Sequence, residues 1–405
     1  MDMRPLAHRA LAALLAPLLV LLASACGNQG RAAPRPRSAP GREFRHPGAL
    51  VSGEQLDAVR RHVEHGEQPW LGAFLAMRDS RYGDLGHRPR PYATVACPPD
   101  TRPGRGCVEE REDAIAAYTQ ALLWYVTGER AHAAAAARIM DAWSAKVRRH
   151  TEGNAGLQAA WAGATWARAG EVLRAPGSGW PRASVRRFGA MLRGAYRPAV
   201  TAGAADFNGN WDLAMTDAAL SIAVFLDDHA GFRRALDRFR ARVPAYFYLR
   251  SDGPLPRTPP GSRVRGADAI RTYWFGQRVF RDGLAQESCR NFQHAGYALA
   301  ATAHIAETAW HQGVDLYGPY RERLRAAVEF HARYQNGARA PAWLCGGKVR
   351  RTLGPDLEVL VNHLENRLQL KLPQADRLLR RTRPAGTDDL FVAWETLTQA
   401  GNPAG

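Results

Sequence analysis

YTQALLWYVTGERAHAAAAARIMDAW, residues 118–143, decides the fold. Tyr118, Leu122 and Tyr125, with Ile115 just upstream, recur at helical spacing until Thr127-Gly128 stops the segment. Residues 129–144 then resume as a second helix with an alanine-rich, closely packing face, so the two form an antiparallel hairpin. The pattern repeats in residues 157–174, 181–196, 212–226 and 229–243, each bounded by Gly, Pro or Asn. An earlier amphipathic segment runs from Ser52 towards Met77, with Leu56, Val59 and Val63 on one side. Alternating Val-, Ile- and Thr-rich strands are scarce. The sequence therefore predicts an all-α protein whose serial helical hairpins form an α/α toroid or solenoid.

The length of 405 residues and a hydrophobic content of 46% allow a large core and exclude a disordered chain. A formal net charge of +17 points to a polyanionic partner: nucleic acid, an anionic membrane surface or an acidic polysaccharide. A solvated arginine-rich surface accounts for part of that excess. The N-terminus narrows the choice. Arg4, His8 and Arg9 precede an apolar run, residues 10–22, and then Ala23-Ser24-Ala25-Cys26, the layout of a secretory signal over residues 1–26. The same residues fit a bacterial lipoprotein signal with Cys26 as the lipidated site. Residues 27–48 read as a flexible Gly/Pro/Ala/Arg-rich tether and residues 49–405 as a single domain. An exported chain has little access to nucleic acid, so the expected partner is an extracellular anionic polysaccharide, met by a monomer without cofactor or metal. In an oxidising compartment Cys97 and Cys107, flanking a Pro/Gly loop, are expected to pair. Cys289 and Cys345 are either a second disulfide or free buried thiols.

Chemistry concentrates in DGLAQESCRNFQHAGYALAATAHIAETAWH, residues 282–311. Glu287, Arg290, His294 and Tyr297 follow at spacings of three, four and three, which predicts one stripe of one helix. The plain alternative is a local Glu–Arg helix pair with a packed His and Tyr. In residues 206–211, DFNGNW, Asn210 is either an N-cap or a carboxylate-binding amide, and Trp211 begins an apolar face. Residues 248–283 form a long proline-rich loop carrying Arg263, Arg265, Tyr273 and Trp274, and a loop of that length is usually functional.

Residues 118–143, NGNWDLAMTDAALSIAVFLDD (208–228) and residues 282–313 together resemble the alginate lyase family of polysaccharide lyases, over most of residues 54 to about 335. The resemblance implies an incomplete α/α toroid with a long cleft, and β-elimination of a uronate-containing polysaccharide such as alginate, polymannuronate or glucuronan. It carries over to Asn210, Arg290 and His294. The family places a His beside its paired asparagines, whereas Gly209 and Trp211 flank Asn210 here, which moves the base to His294. Asn210 and Arg290 are then expected to bind the substrate carboxylate and stabilise the enolate-like transition state. His294 and a tyrosine, Tyr273 ahead of Tyr297, share the proton transfers. Glu287 is expected at the substrate site, orienting Arg290 or His294, with Tyr297 lining it and Trp211 and Trp274 stacking on sugar rings. Two other classes compete: an α/α glycoside hydrolase pairing Glu287 with Asp212 or Asp217, and a non-catalytic lipoprotein that binds acidic glycans.

Overall fold

Helix α1 (Gly53–Glu64) opens on a capping box, in which Ser52 and Gln55 each accept the other's backbone N–H. The computed structural model describes residues 43–99 and 104–401. The signal segment, Cys26 and residues 27–42 of the tether lie outside them. Helix α2 (Trp70–Arg78) follows α1. Then come α3 (Cys107–Thr127) and α4 (Arg130–Lys146), the two arms of the hairpin read from the sequence, broken where Gly128 adopts a left-handed conformation. The chain continues through α5 (Ala155–Leu173), α6 (Arg182–Met191), α7 (Arg197–Thr201), α8 (Gly209–Phe225) and α9 (His229–Tyr246). It ends with α10 (Gly266–Tyr273), α11 (Phe292–His311), α12 (Tyr317–Gln335), α13 (Glu358–Asn362), α14 (Pro373–Thr382) and α15 (Glu395–Gln399). Among the described residues the strands are two short parallel ones, β1 (Thr94–Ala96) and β2 (Arg149–Thr151).

Helices α3, α5, α8 and α11 pack side by side as an inner row, which continues through α13 and α15 and returns to α3 by way of α1 and α2. Outside it, α4 packs on α3, α9 on α8 and α12 on both α11 and α14. This is the α/α toroid. The inner helices α5 and α8 are buried on nearly every side, which their alanine-rich, weakly polar sequences allow. Charged groups tie the inner row together. Arg168 of α5 pairs with Asp217 of α8, and His304 of α11 lies 3.2 Å from Asp217 and also bonds Glu395 of α15.

Three boundaries differ from the sequence reading. The site helix begins at Phe292, not near residue 282, because Asn291 is an extended N-cap whose side chain accepts the His294 N–H. Helix α8 is capped at Asn208, which leaves Asn210 inside the first turn. Residues 248–283 are no featureless loop: they carry α10 and a second apolar cluster of Tyr248, Ile270, Trp274 and Phe280 with Phe292, Tyr334 and Leu344. Both disulfides are present, Cys97–Cys107 and Cys289–Cys345, and the second ties the segment before α11 to residues 336–357. Phe44, at the end of the predicted tether, stacks on His229 at 4.4 Å, and His46 lies 2.9 Å from Glu171.

Candidate active site

The N-terminal turns of the four inner helices α3, α5, α8 and α11 meet at one end of the toroid. They bring Arg111, Gln158, Trp161, His294 and Tyr297 together from three distant parts of the chain, and Asn210 of α8 joins them through Glu287 and Tyr246, whose hydroxyl reaches the His294 carbonyl. The C-terminus of α9 arrives at the same end and delivers Tyr246. Gly209 makes this convergence fit, since a Cβ there would lie 2.1 Å from the Tyr246 ring.

Glu287 is the hub. It has no solvent exposure and accepts four hydrogen bonds: from Asn210 Nδ2 at 2.6 Å and Asn210 N at 3.2 Å, from Tyr246 Oη at 3.0 Å, and from Arg290 Nη1 at 2.7 Å. Four hydrogen bonds converging on one buried carboxylate fix every partner. Gln286 adds a second clasp, accepting from Gly209 N and donating to Asn208 Oδ1 and the Tyr273 carbonyl. The sequence placed Glu287 at the substrate site, orienting Arg290 or His294. Its complete burial removes it from contact with substrate, and its hydrogen bonds hold Arg290 and Asn210 from beneath. Asn210 is likewise 1% exposed, with one amide hydrogen committed to Glu287, so it supports the site from below. Arg290 is the member that reaches the surface, its side chain one-third exposed.

His294 stands half-buried on the first turn of α11. Its Nδ1 lies 2.7 Å from Asn291 Oδ1, which also accepts the His294 backbone N–H. An acceptor at that position fixes the proton on Nδ1 and leaves the Nε2 lone pair free. Burial first, and the Arg290 charge second, push the imidazole down to about 4, so it is neutral at ordinary pH. Tyr297 lies one turn on, its ring 5.7 Å from that of His294 and 6.4 Å from that of Trp161. Burial, with Asp388 and Asp356 nearby, raises its phenol far above the usual tyrosine range and keeps it protonated.

The remaining expectations separate. Tyr273, the favoured tyrosine, ends α10 with its hydroxyl already engaged, donating to the Phe207 carbonyl at 2.8 Å and accepting from Arg242 at 3.2 Å. It fastens the loop before α8. Trp274 is 1% exposed in the second apolar cluster and presents no face to a sugar. Trp211 is partly exposed, and Phe207, which the sequence reading passed over, stacks on it at 4.8 Å and is 55% exposed. The hydrolase reading also fails. Asp212 is buried against Arg242 and Asp217 against Arg168, so neither faces Glu287 across a cleft. Tyr246 and Asn291 were missed as well. Asn291 carried a readable signal, an Asn before an apolar run; nothing local to Tyr246 points to a carboxylate 41 residues away.

The alginate lyase family profile matches residues 99–258 and 262–341, more than half of the chain and all four inner helix starts. The chain belongs to the alginate lyase family. It is a polysaccharide lyase. No curated protein matches the sequence. Among solved structures, alginate lyase A1-III from Sphingomonas species A1 superposes with a TM-score of 0.61 at 19% identity, covering 90% of this chain and 99% of that one. A His→Ala variant of alginate lyase A1-III, complexed with a tetrasaccharide, gives 0.63 at 20% identity over 87% and 94%. An alginate lyase from Bacteroides ovatus gives 0.50 at 12% identity, over 89% and 97%. At these identities the structural likeness establishes the shared toroid, and the alginate lyase assignment rests on the family match.

Proposed function

We propose that this alginate lyase family member cleaves a polyuronate by β-elimination, with Arg290, His294 and Tyr297 as the groups that meet the substrate. The observation that carries this reading is the pairing of an exposed, carboxylate-anchored Arg290 with a neutral His294 whose Nε2 is free. Arg290 binds the uronate carboxylate and draws charge towards it, which acidifies the proton on C5. His294 Nε2 takes that proton, the C4–C5 double bond forms, and the C4–O4 bond breaks. The Tyr297 hydroxyl protonates the departing O4. Glu287, Asn210 and Asn291 are positioning residues that hold Arg290 and the imidazole, while Phe207 and Trp211 offer a flat apolar face to a neighbouring sugar ring. Incubation with alginate, polymannuronate and glucuronan tests the reading. A new ultraviolet-absorbing unsaturated uronate is expected with at least one of them, and saturated ends alone or unchanged polymer would overturn it.

We further propose that the protein is exported, with Cys26 as its lipidated residue. Mass spectrometry of the mature N-terminus tests this; a chain that begins well downstream of Cys26 contradicts it.

A further inference from the structure

Cys289 stands next to Arg290 in the non-helical turn that leads into α11, and its sulfur is bonded to Cys345. The segment that Cys345 belongs to, residues 336–357, also caps α11. The Arg350 carbonyl accepts the Phe292 N–H at 3.0 Å and Thr352 Oγ1 accepts the Gln293 N–H at 3.0 Å, while Asn291 Oδ1 takes that of His294. The first N–H groups of the helix that carries His294 and Tyr297 thus depend on Asn291 and on residues 350–352. Gln277 fastens the same segment: its Oε1 accepts the Cys345 N–H at 3.1 Å and its Nε2 donates to the Trp343 carbonyl at 2.8 Å. Cys345 lies shortly before Arg350, so one covalent bond ties the capping residues to the turn that bears Arg290.

The two disulfides differ in what can reach them. Cys97 and Cys107 are each 1% exposed, whereas Cys289 and Cys345 are both partly exposed. Cys345 also has φ at 51°, a left-handed conformation that is costly for a residue with a Cβ. A bond that is both reachable and attached to strained backbone is the kind that thiols reduce first. We propose that Cys289–Cys345 is a redox-sensitive latch on the active site. Closed, it holds Arg290 and the first turn of α11 in working geometry. Opened by a dithiol, it releases residues 336–357 from the start of α11, and turnover falls while the toroid stays folded on its inner row of helices. The inference rests on the polyuronate lyase reading and adds the regulation of that site. In the step itself a thiolate of the dithiol attacks one sulfur, and its second thiol displaces the resulting mixed disulfide. The protein S–S bond breaks, Cys289 and Cys345 each end as a protonated thiol, and the dithiol is oxidised to its cyclic disulfide.

The test treats the full chain with graded dithiothreitol and reads kcat, thiol alkylation and amide hydrogen exchange on portions of the same sample. Cys289 and Cys345 are expected to become alkylated before Cys97 and Cys107, with faster exchange at the Phe292 and Gln293 amides and an unchanged helical signal in circular dichroism. With them kcat falls by about tenfold to a hundredfold, the usual cost of displaced reacting groups. Oxidised glutathione restores kcat in the portion left unalkylated. The Cys289→Ser, Cys345→Ser double variant should keep the low kcat and lose the response to dithiothreitol; should it not fold, the reduced wild type decides alone. An undiminished kcat once both thiols are alkylated, earlier opening of Cys97–Cys107, or activity lost only in step with helix overturns the latch. Oxidised enzyme that makes no unsaturated product from any polyuronate defeats the lyase reading itself, and the order of alkylation with the exchange at Phe292 and Gln293 then still decides whether the bond holds the start of α11.

Discussion

Glu287 Oε2 accepts the Asn210 amide at 2.6 Å although 77 residues separate the two. This contact joins the first turn of α8 to the irregular segment before α11, and Arg290 hangs from the other oxygen of the same carboxylate. The site is therefore a buried anion dressed by donors, with one cation left facing outwards. Removing the anion strands both neighbours. Glu287→Ala is expected to cost about 3–5 kcal/mol of stability, as for other broken buried pairs. Glu287→Gln, which keeps the shape, should fold and yet lose turnover through a misplaced Arg290. Melting curves and turnover on the same samples check both; a Glu287→Gln enzyme with wild-type kcat/KM would show that Arg290 needs no anchor.

His294→Ala should lower kcat by about two to four orders of magnitude, the usual contribution of a positioned base, with little change in melting temperature. Asn291→Ala separates orientation from capping. It frees the imidazole and removes the N-cap, so both kcat and about 1 kcal/mol of stability should fall. Asn291→Ser restores a capping oxygen and should recover the stability but not the rate. Recovery of both would assign Asn291 to the helix alone.

Three tyrosines cluster near the hub, and their Phe variants should behave differently. Tyr297→Phe removes the proposed acid and should lower kcat by about two orders of magnitude or more. Tyr273→Phe loosens the Phe207 loop and should raise KM with kcat nearly kept. Tyr246→Phe takes one donor from a buried carboxylate and should show chiefly as a stability loss of about 1–3 kcal/mol. A Tyr273→Phe enzyme with the largest kcat defect would return the acid to α10.

The pH profile follows from His294. Its imidazole is lowered to about 4, and kcat/KM reports the free enzyme, so the acid limb should have its midpoint near 4 and not near 6.5. Stability takes the same direction. The unfolded imidazole binds its proton below about 6.5 while the native one does not until about 4, so the native state loses stability as pH falls through that window. His331, fully buried between Ser288 and the Ala327 carbonyl and also lowered to about 4 by burial, adds to this loss. Melting temperatures between pH 7 and 4.5 should fall less steeply in His331→Gln than in wild type. Equal slopes would mean that His331 protonates freely in the folded state.

Gly209→Ala is the smallest change expected to harm the site. The added methyl would meet the Tyr246 ring, so α8 must shift from its contacts with Gln286 and Glu287. Overpacking of this kind costs about 1–3 kcal/mol. Turnover should fall further than stability alone explains, which thermal melts beside kinetics will show.

The sequence by itself determined the hairpins. Apolar spacing in residues 118–143, broken at Thr127-Gly128, is a local signal, and local signals set helix type, helix order and hence the α/α class. The reactive composition of residues 282–311 was equally plain, because Glu287, Arg290, His294 and Tyr297 are neighbours in the chain. What each residue does was decided by the tertiary structure. Periodicity placed Glu287 on a helix facing a cleft; packing of α9 and α8 buried it, since the donors from Tyr246 and Asn210 come from 41 and 77 residues away. Burial sent Trp274 into a core formed with the distant Tyr334 and Leu344, and left Phe207 in the open. A side chain's spacing is written in its own segment, but its exposure and its hydrogen-bond partners come from elements that meet it only after the chain has folded.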